Sequence, residues 1–396
     1  MKILFVHEVS WFNKVVFEMH DFPELLSLEG HEVYFLDFDE GQPRAQWRCV
    51  TTTESRAHAG SSVHVTTGPR VLPGILGRLL ATVLQPVFFI CLWRKVRPDV
   101  VITYSIPTSG WQITFLCNFF GIPIVARVID VAHVLRQTSF RGLIKLSERL
   151  VYRRADFVTT HNEVLRDYCC ALGAKPPRCS VIYPGVDLDR FQPGVPPTEL
   201  QKKLGLSSSD RTLLFMGTLF RFSGLFELLT SLAPALHRDP DLKFLILGDG
   251  EDLERLQGLA RKFGLERKVI FTGRVEYRDL ADYLRLGRVA VLPFEANLVT
   301  NAALPAKVLQ YLASGLPTVA TQLDGLQSVV GADNGVVFTR SVDTMAEAVV
   351  ELFSDPERIL LLSKQGRRFT SLNCDWVTQI RTFERLLVAV HDTKSR

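Results

Sequence analysis

Short apolar runs alternate with helix-length amphipathic segments twice along this chain, and that rhythm restricts its folds more than any other feature. Residues 3–6, 32–36, 100–103, 122–128, 157–160 and 180–183 read as strands. Helical patterns at 16–28, 113–119 and 143–153 lie between several of them. Strand, helix, strand repeated in this way predicts a parallel sheet covered on both faces. At 183–193 the chain reads YPGVDLDRFQP and then GVPP, which is turn and linker chemistry close to the midpoint. A second series follows, with strands at 212–216, 243–247, 269–272, 289–293 and 317–321. Its helices fall at 225–235, 252–263, 280–286, 306–313, 345–352 and 376–390. The expectation is α/β, with two doubly wound domains facing each other across a cleft where ligands bind at the strand ends. The domains are placed at 1–190 and 191–375, and the helix from 376 to 396 crosses back to the first.

Composition narrows the class. With 396 residues, 47% hydrophobic and 22% charged, the chain suits a soluble protein with two cores. A net charge of +4, with no zinc-finger spacing, aromatic RNA-binding motif or long basic run, argues against nucleic acid. The charge is unevenly spread. Residues 1–43 hold nine acids against Lys2 and Lys14, whereas residues 44–154 hold fifteen Lys/Arg against Glu54, Asp99, Asp130 and Glu148. Two readings stand: solvated faces of opposite sign, or a basic surface for anionic lipid or a phosphate-bearing acceptor. Seven scattered cysteines (49, 91, 117, 169, 170, 179, 374) without metal spacing fit a reducing cytosol. The first apolar run, 3–6, is a strand and too short for a signal peptide. The most apolar stretch, LLATVLQPVFFICLW (79–93), falls short of a membrane span and contains Pro86. Its default is a buried helix, and its alternative is a helix lying in the bilayer interface.

Five motifs follow in order in the second half. They are YPGVDLDRFQP (183–193), FMGTLFRFSG (215–224), LILGDGEDLERLQGLARKFGLERKVIFTGRV (245–275), LADYLRLGRVAVLPF (280–294) and PAKVLQYLASGLPTVAT (305–321). In that order and register they resemble the retaining GT-B glycosyltransferases of family four, over about residues 180–340. The first half is similar only in pattern, at GHEVYFLD (30–37), RPDVVITYS (97–105) and GIPIVARVID (121–130).

The resemblance implies two Rossmann-like domains: an N-terminal acceptor domain and a C-terminal domain for a nucleotide-sugar donor. Glycine-rich turns and helix N-termini suit a diphosphate leaving group, because backbone N–H groups there accept its charge. Gly217 and Gly224 bracket such a turn. Gly248 and Gly250 follow the next strand, where base or ribose would lie; simple turn geometry is the plainer role for each. Relatives usually carry Arg after the first glycine and Lys before the second, where this chain has Thr218 and Ser223. Arg221 is the replacement cation. Of the usual E-x7-E pair, the first position is Ala302 and the second is Gln310, whose amide still bonds a hydroxyl. Glu295, Asn297, Ala303 and Leu304 complete the expected donor contacts, and Lys307 at the start of the signature helix is retained.

In the first domain, relatives place His-Asp after the strand that here ends ARVID. Asp130 and, one turn later, His133 take that place as candidates for orienting hydroxyls. With Lys307 they form the expected catalytic set. The loop at 7–15 lacks the relatives' glycines, so Asn13 or Lys14 stands in for backbone contact. Asp37-Phe38-Asp39 is read as solvated strand-end charge and no metal is expected. His58 and His64 are placed in a loop.

The implied activity is glycosyl transfer from a UDP- or GDP-linked sugar to a saccharide or lipid-linked acceptor, with retention of configuration. It fits envelope polysaccharide or glycolipid assembly by a cytoplasmic enzyme at or near the inner membrane face. No cofactor is implied beyond the nucleotide sugar as co-substrate. The alternative is a catalytically inactive GT-B paralogue that serves a transferase as partner. A sugar-nucleotide epimerase would need a set of carboxylates and histidines that the sequence does not assemble.

Overall fold

The computed structural model describes residues 1–40, 51–53, 55–71, 74–104, 109–135 and 140–395. Cys49, Glu54, Ser105 and the side chain of Asp39 lie outside what it describes. The chain forms two compact units, Met1–Tyr183 with Val377–Arg396, and Pro184–Trp376.

The elements run in order β1 (Lys2–Val6), α1 (Glu18–Leu28), β2 (Glu32–Glu40), β3 (Thr51–Thr53), β4 (Val63–Val71), α2 (Gly74–Val96), β5 (Val100–Tyr104) and α3 (Gly110–Phe119). They continue with β6 (Ile124–Val128), α4 (Ala132–Leu135), α5 (Arg141–Arg154), β7 (Phe157–Thr160), α6 (Glu163–Ala171) and β8 (Cys179–Val181). In the second unit follow α7 (Thr198–Lys203), β9 (Arg211–Met216), α8 (Leu225–Arg238), β10 (Leu242–Leu247), α9 (Leu253–Lys262), β11 (Val269–Phe271), α10 (Leu280–Leu284) and β12 (Val289–Leu292). Last come α11 (Ala306–Ala313), β13 (Thr318–Thr321), α12 (Asp324–Val330), β14 (Val336–Thr339), α13 (Val342–Ser354), α14 (Pro356–Asn373) and α15 (Trp376–Ser395).

The first sheet has the order β3-β4-β2-β1-β5-β6-β7-β8 and is parallel apart from β3, which runs antiparallel to β4. The second has the order β11-β10-β9-β12-β13-β14 and is parallel throughout. Central strands β5, β6 and β12 are buried at every position, as expected for strands covered on both faces. In the second unit, α8, α9 and α13 close one core over Phe215, Phe244, Val291 and Val319. In the first, Phe383 of α15 packs on Phe22 of α1, and Glu384 accepts a bond from His31 at 2.9 Å.

Four expectations change. Gly74–Val96 is one 23-residue helix that continues through Pro86. Ala81, Gln85, Phe89, Leu92 and Val96 line its buried side, and that burial outweighs the roughly 3 kcal/mol penalty of an internal proline. The helix is not a buried one, however: only 28% of its apolar window Leu79–Val96 is covered, at a mean hydropathy of 1.5. By length and composition alone that window could cross a membrane. Second, the acids near the N-terminus are not a solvated face, because Glu8, Glu18, Asp21, Glu24 and Asp37 are all buried. Third, Asp37 sits inside β2 and accepts the Trp11 N–H at 2.7 Å, so it is a structural carboxylate. Fourth, His64 lies on β4, and its ring packs beside Tyr34.

Candidate functional site

All strands of the second sheet are parallel, so the loops after β9, β10, β12 and β13 emerge at one edge. The first two are laced together by backbone bonds: Gly217 N–H to Leu247 O at 2.8 Å, Leu219 N–H to Asp249 O at 3.0 Å, and Asp252 N–H to Leu219 O at 3.2 Å. This close approach explains the glycines. A Cβ on Gly248 would lie 1.9 Å from Gly217 O, and one on Gly250 would lie 2.5 Å from Leu219 O. Both are therefore required by packing of backbone on backbone, whatever binds nearby.

The loop after β9 continues into a short 3-10 turn, Arg221–Ser223, and then Gly224 at φ +66°, which starts α8. A Cβ on Gly224 would lie 1.8 Å from Pro293 O. Glu295 N–H bonds Phe222 O at 3.1 Å, so this turn is pinned to the loop after β12. Phe220 and Phe222 stack at 5.2 Å, both partly exposed, and Phe222 meets Phe294 edge-on at 5.8 Å. An aromatic step thus stands beside the glycine turn.

The loop after β12 ends at Pro305, which precedes α11. Its Tyr311 hydroxyl is fully buried and accepts the Met216 N–H at 2.7 Å, which fixes α11 to the end of β9. Lys307 then reaches over the glycine turn. Its ammonium lies 4.8 Å from the ring centres of both Phe215 and Phe294. A Cβ on Gly217, whose φ is +141°, would sit 2.1 Å from Lys307 Nζ. Among the described residues Lys307 has no carboxylate partner, and loss of hydration pulls its pKa down to about 7. An unpaired cation held between two rings is a binding point for an anion.

The other candidates divide by environment. Thr218 and Arg221 are exposed in the same turn, and Arg221 has no ion-pair partner among the described residues. Ser223 is buried beneath them. Gln310 is half-buried one turn from Lys307 on α11. Glu295 is exposed, whereas Asn297 builds the loop: its Oδ1 accepts the N–H groups of Val299 at 2.9 Å and Thr300 at 3.1 Å. Ala303 and Leu304 follow, backed by Gly325, whose Cβ would lie 2.5 Å from Ala303 O.

In the first unit, Asp130 stands after β6 with its pKa raised to about 6, first by burial and then by the Glu18 charge. His133 is held by partners that sequence reasoning missed. Its Nδ1 lies 2.8 Å from Glu148 Oε2 and 2.9 Å from Tyr168 Oη, and Tyr168 donates to the same carboxylate at 2.8 Å. Glu148 Oε1 also accepts the Ala132 N–H at 3.0 Å, so His133 is fixed in place. The one hint in sequence was a lone acid in a basic helix. At 7–15, Asn13 and Lys14 are exposed, and the loop is held by an arginine from outside it. Arg56 donates to the carbonyls of Trp11, Phe12 and Lys14 at 2.8, 2.6 and 3.0 Å.

Comparison with known proteins agrees with this architecture. The model for Glycosyltransferase Family 4 matches residues 22–190, and the model for Glycosyl transferases group 1 matches residues 210–355. The chain belongs to the family-four glycosyltransferases. A D-inositol 3-phosphate glycosyltransferase of Catenulispora acidiphila is 32% identical over 54% of this chain and 53% of its own length. One from Thermobispora bispora is 27% identical over 77% and 75%. The GDP-mannose-dependent alpha-(1-6)-phosphatidylinositol monomannoside mannosyltransferase of Mycobacterium tuberculosis is 31% identical over 51% and 54%. The chain therefore spans about half to three quarters of the length of these curated relatives. Among solved structures, sucrose-phosphate synthase from Thermosynechococcus elongatus has a TM-score of 0.80 at 17% identity, covering 99% of this chain and 100% of that one. Anabaena HepE in complex with UDP has a TM-score of 0.75 at 16% identity, covering 98% and 100%. These likenesses show the GT-B fold, with two Rossmann-like domains.

Proposed function

We propose that this chain transfers a glycosyl group from a nucleotide-sugar donor to a saccharide or lipid-linked acceptor, with retention of configuration and without a metal. The observation that carries the reading is Lys307, an uncompensated ammonium between Phe215 and Phe294 directly over Gly217. A departing nucleoside diphosphate supplies the missing anion. Arg221 adds a second cation from the same turn, and together they do the work that relatives assign to Arg and Lys at the places of Thr218 and Ser223. Gln310 takes ribose hydroxyls. The stacked pair Phe220 and Phe222 offers an apolar face to base or sugar.

The second unit is thus read as the donor domain and the first as the acceptor domain. Asp130 orients hydroxyls there, and His133, steadied by Glu148 and Tyr168, keeps its Nε2 for the acceptor. The names of the relatives, an inositol 3-phosphate glycosyltransferase and a phosphatidylinositol monomannoside mannosyltransferase, favour a phosphate-bearing or lipid-borne acceptor. The test is calorimetric titration with UDP- and GDP-sugars, together with mass spectrometry for nucleotide release. Binding of one donor class is expected, reduced about tenfold or more in Lys307→Ala and in Arg221→Ala. A chain that binds neither donor class overturns the reading.

A further inference from the structure

The strands β4, β5, β6 and β7 step across the first sheet in one direction once β2 and β1 are passed. Right-handed crossovers therefore put α2, α3 and α5 side by side on one face. Direct contacts join them: Trp93 at the end of α2 stacks on Phe120 after α3 at 4.3 Å, and Asn118 of α3 donates to the Arg154 carbonyl at the end of α5 at 3.1 Å. The inner sides of these helices are buried on the sheet. Their outer sides are apolar as well. Leu79, Leu80, Val83 (66% exposed) and Val87 form a stripe along α2 at helical spacing. Trp111, Phe115 and Phe119 (73%) form one along α3, and Leu143 (64%) and Leu146 lie on the first half of α5. Isolated exposed apolar residues are ordinary, but three adjacent helices that share them are not.

The charges on this face have one sign. Neither α2 nor α3 contains an acid. The single acid of α5, Glu148, is buried against Ala132, His133 and Tyr168. Among the described residues the exposed charges are Arg94 and Lys95 on α2 and Arg141, Lys145, Arg149, Arg153 and Arg154 on α5. Acids stand beside these helices at Asp99 after α2, at Asp156 after α5, where it pairs with Lys394, and on α6, where Asp167 pairs with Arg166 and Glu163 accepts from Tyr183. An apolar protein partner would not need a face without acids. An anionic bilayer does, since each Lys or Arg near it contributes about 1 kcal/mol.

We propose that the outer face of α2, α3 and α5 docks on an anionic lipid bilayer, with the apolar stripes in the headgroup and acyl boundary and the basic side chains on lipid phosphates. The N-terminal ends of these helices lie at the strand edge that carries Asp130. The membrane would thus be met beside the acceptor candidates. Docking goes beyond the glycosyl-transfer reading and does not depend on it.

Flotation of the full chain with vesicles tests the proposal. Binding to mixed phosphatidylcholine–phosphatidylglycerol vesicles is expected, with little binding to phosphatidylcholine alone and loss at high salt. The variant Val83→Glu with Phe115→Glu should lower vesicle partitioning by about tenfold or more, because both side chains leave the acyl boundary. Arg141→Glu with Lys145→Glu should abolish the preference for anionic lipid. All four positions are exposed, and nucleotide-sugar titration of each variant checks that the donor loops are intact. No vesicle binding, equal binding to both vesicle types, or variants that bind as the parent does would overturn docking. So would a dimer in sedimentation that the Glu variants dissociate, which assigns the face to a second copy. Vesicle binding in a chain that binds no nucleotide sugar would leave docking standing and remove the transferase reading.

Discussion

Lys307 shows how a single side chain can carry a functional reading. Its ammonium has traded water for two aromatic rings, and the pKa of about 7 records the lost hydration. A bound diphosphate favours the charged form, so the free protein must take up a proton on binding whenever the pH exceeds about 7. The expected outcome is a nucleoside-diphosphate Kd that rises by roughly tenfold per pH unit above 7, until the pKa of the complex is reached. Calorimetry in buffers of different ionisation enthalpy reads the proton uptake directly. Lys307→Met should bind weakly and show no such slope; a slope that persists would move the titration to another group. Of this site, Gly217, Gly224 and Lys307 were legible in sequence because their spacing within local motifs is itself the signal. The Phe215 ring beside Lys307 and the Tyr311 bond to Met216 join segments more than about 90 residues apart, and no local pattern reports such pairings. Asn297 shows the converse: a polar residue in the right loop whose side-chain oxygen is already used by its own turn.

Among the elements, parallel strands were easiest to find, because burial on both faces demands an unbroken apolar run. Strand β4 was missed because its sequence, VHVTTGPRV, is largely polar at the side of the sheet where only β3 lies beyond it. Helix α2 was cut short because a proline and a count of apolar residues were allowed to outweigh packing. The acids of α1 were misread for a related reason. A charge on an amphipathic pattern suggests water, yet Glu18 meets Arg127 in two bonds of 2.9 Å with both groups buried. Arg127 also donates to the carbonyls of Thr160 and Ile182, at 3.1 and 2.8 Å, and so ties α1 to β6 and to the ends of β7 and β8. Removing one partner leaves the other charge unpaired. Glu18→Gln should therefore cost about 3–5 kcal/mol in denaturant unfolding. The double variant Glu18→Leu with Arg127→Met should recover much of that loss. A single variant as stable as the parent would show that the pair contributes little.

For the whole molecule, the division into units does not follow chain order. Unit one consists of Met1–Tyr183 and Val377–Arg396, so its core includes Ile380, Phe383 and Leu387 from the far end of the sequence. Unit two is a single stretch whose ends are joined at home: Val186 donates to the Cys374 carbonyl at 2.7 Å, and a Cβ on Gly185 would lie 2.3 Å from the Trp376 ring. Deleting residues 377–396 should accordingly expose the core of unit one and leave unit two folded. Hydrogen exchange should then show lost protection in β1, α1 and β2 and retained protection in β9, β10 and β12. Equal loss in both units would refute the division.

The same arrangement orders events during synthesis. As the chain leaves the ribosome, residues 184–376 have everything they need and can fold at once. Unit one, although its first part is made earlier, lacks the Phe383 ring on Phe22 and the Glu384 carboxylate on His31 until residues 377–396 follow unit two. The unit that carries the apolar face of α2, α3 and α5 is thus the one whose core is completed later, after residues 184–376 have been made.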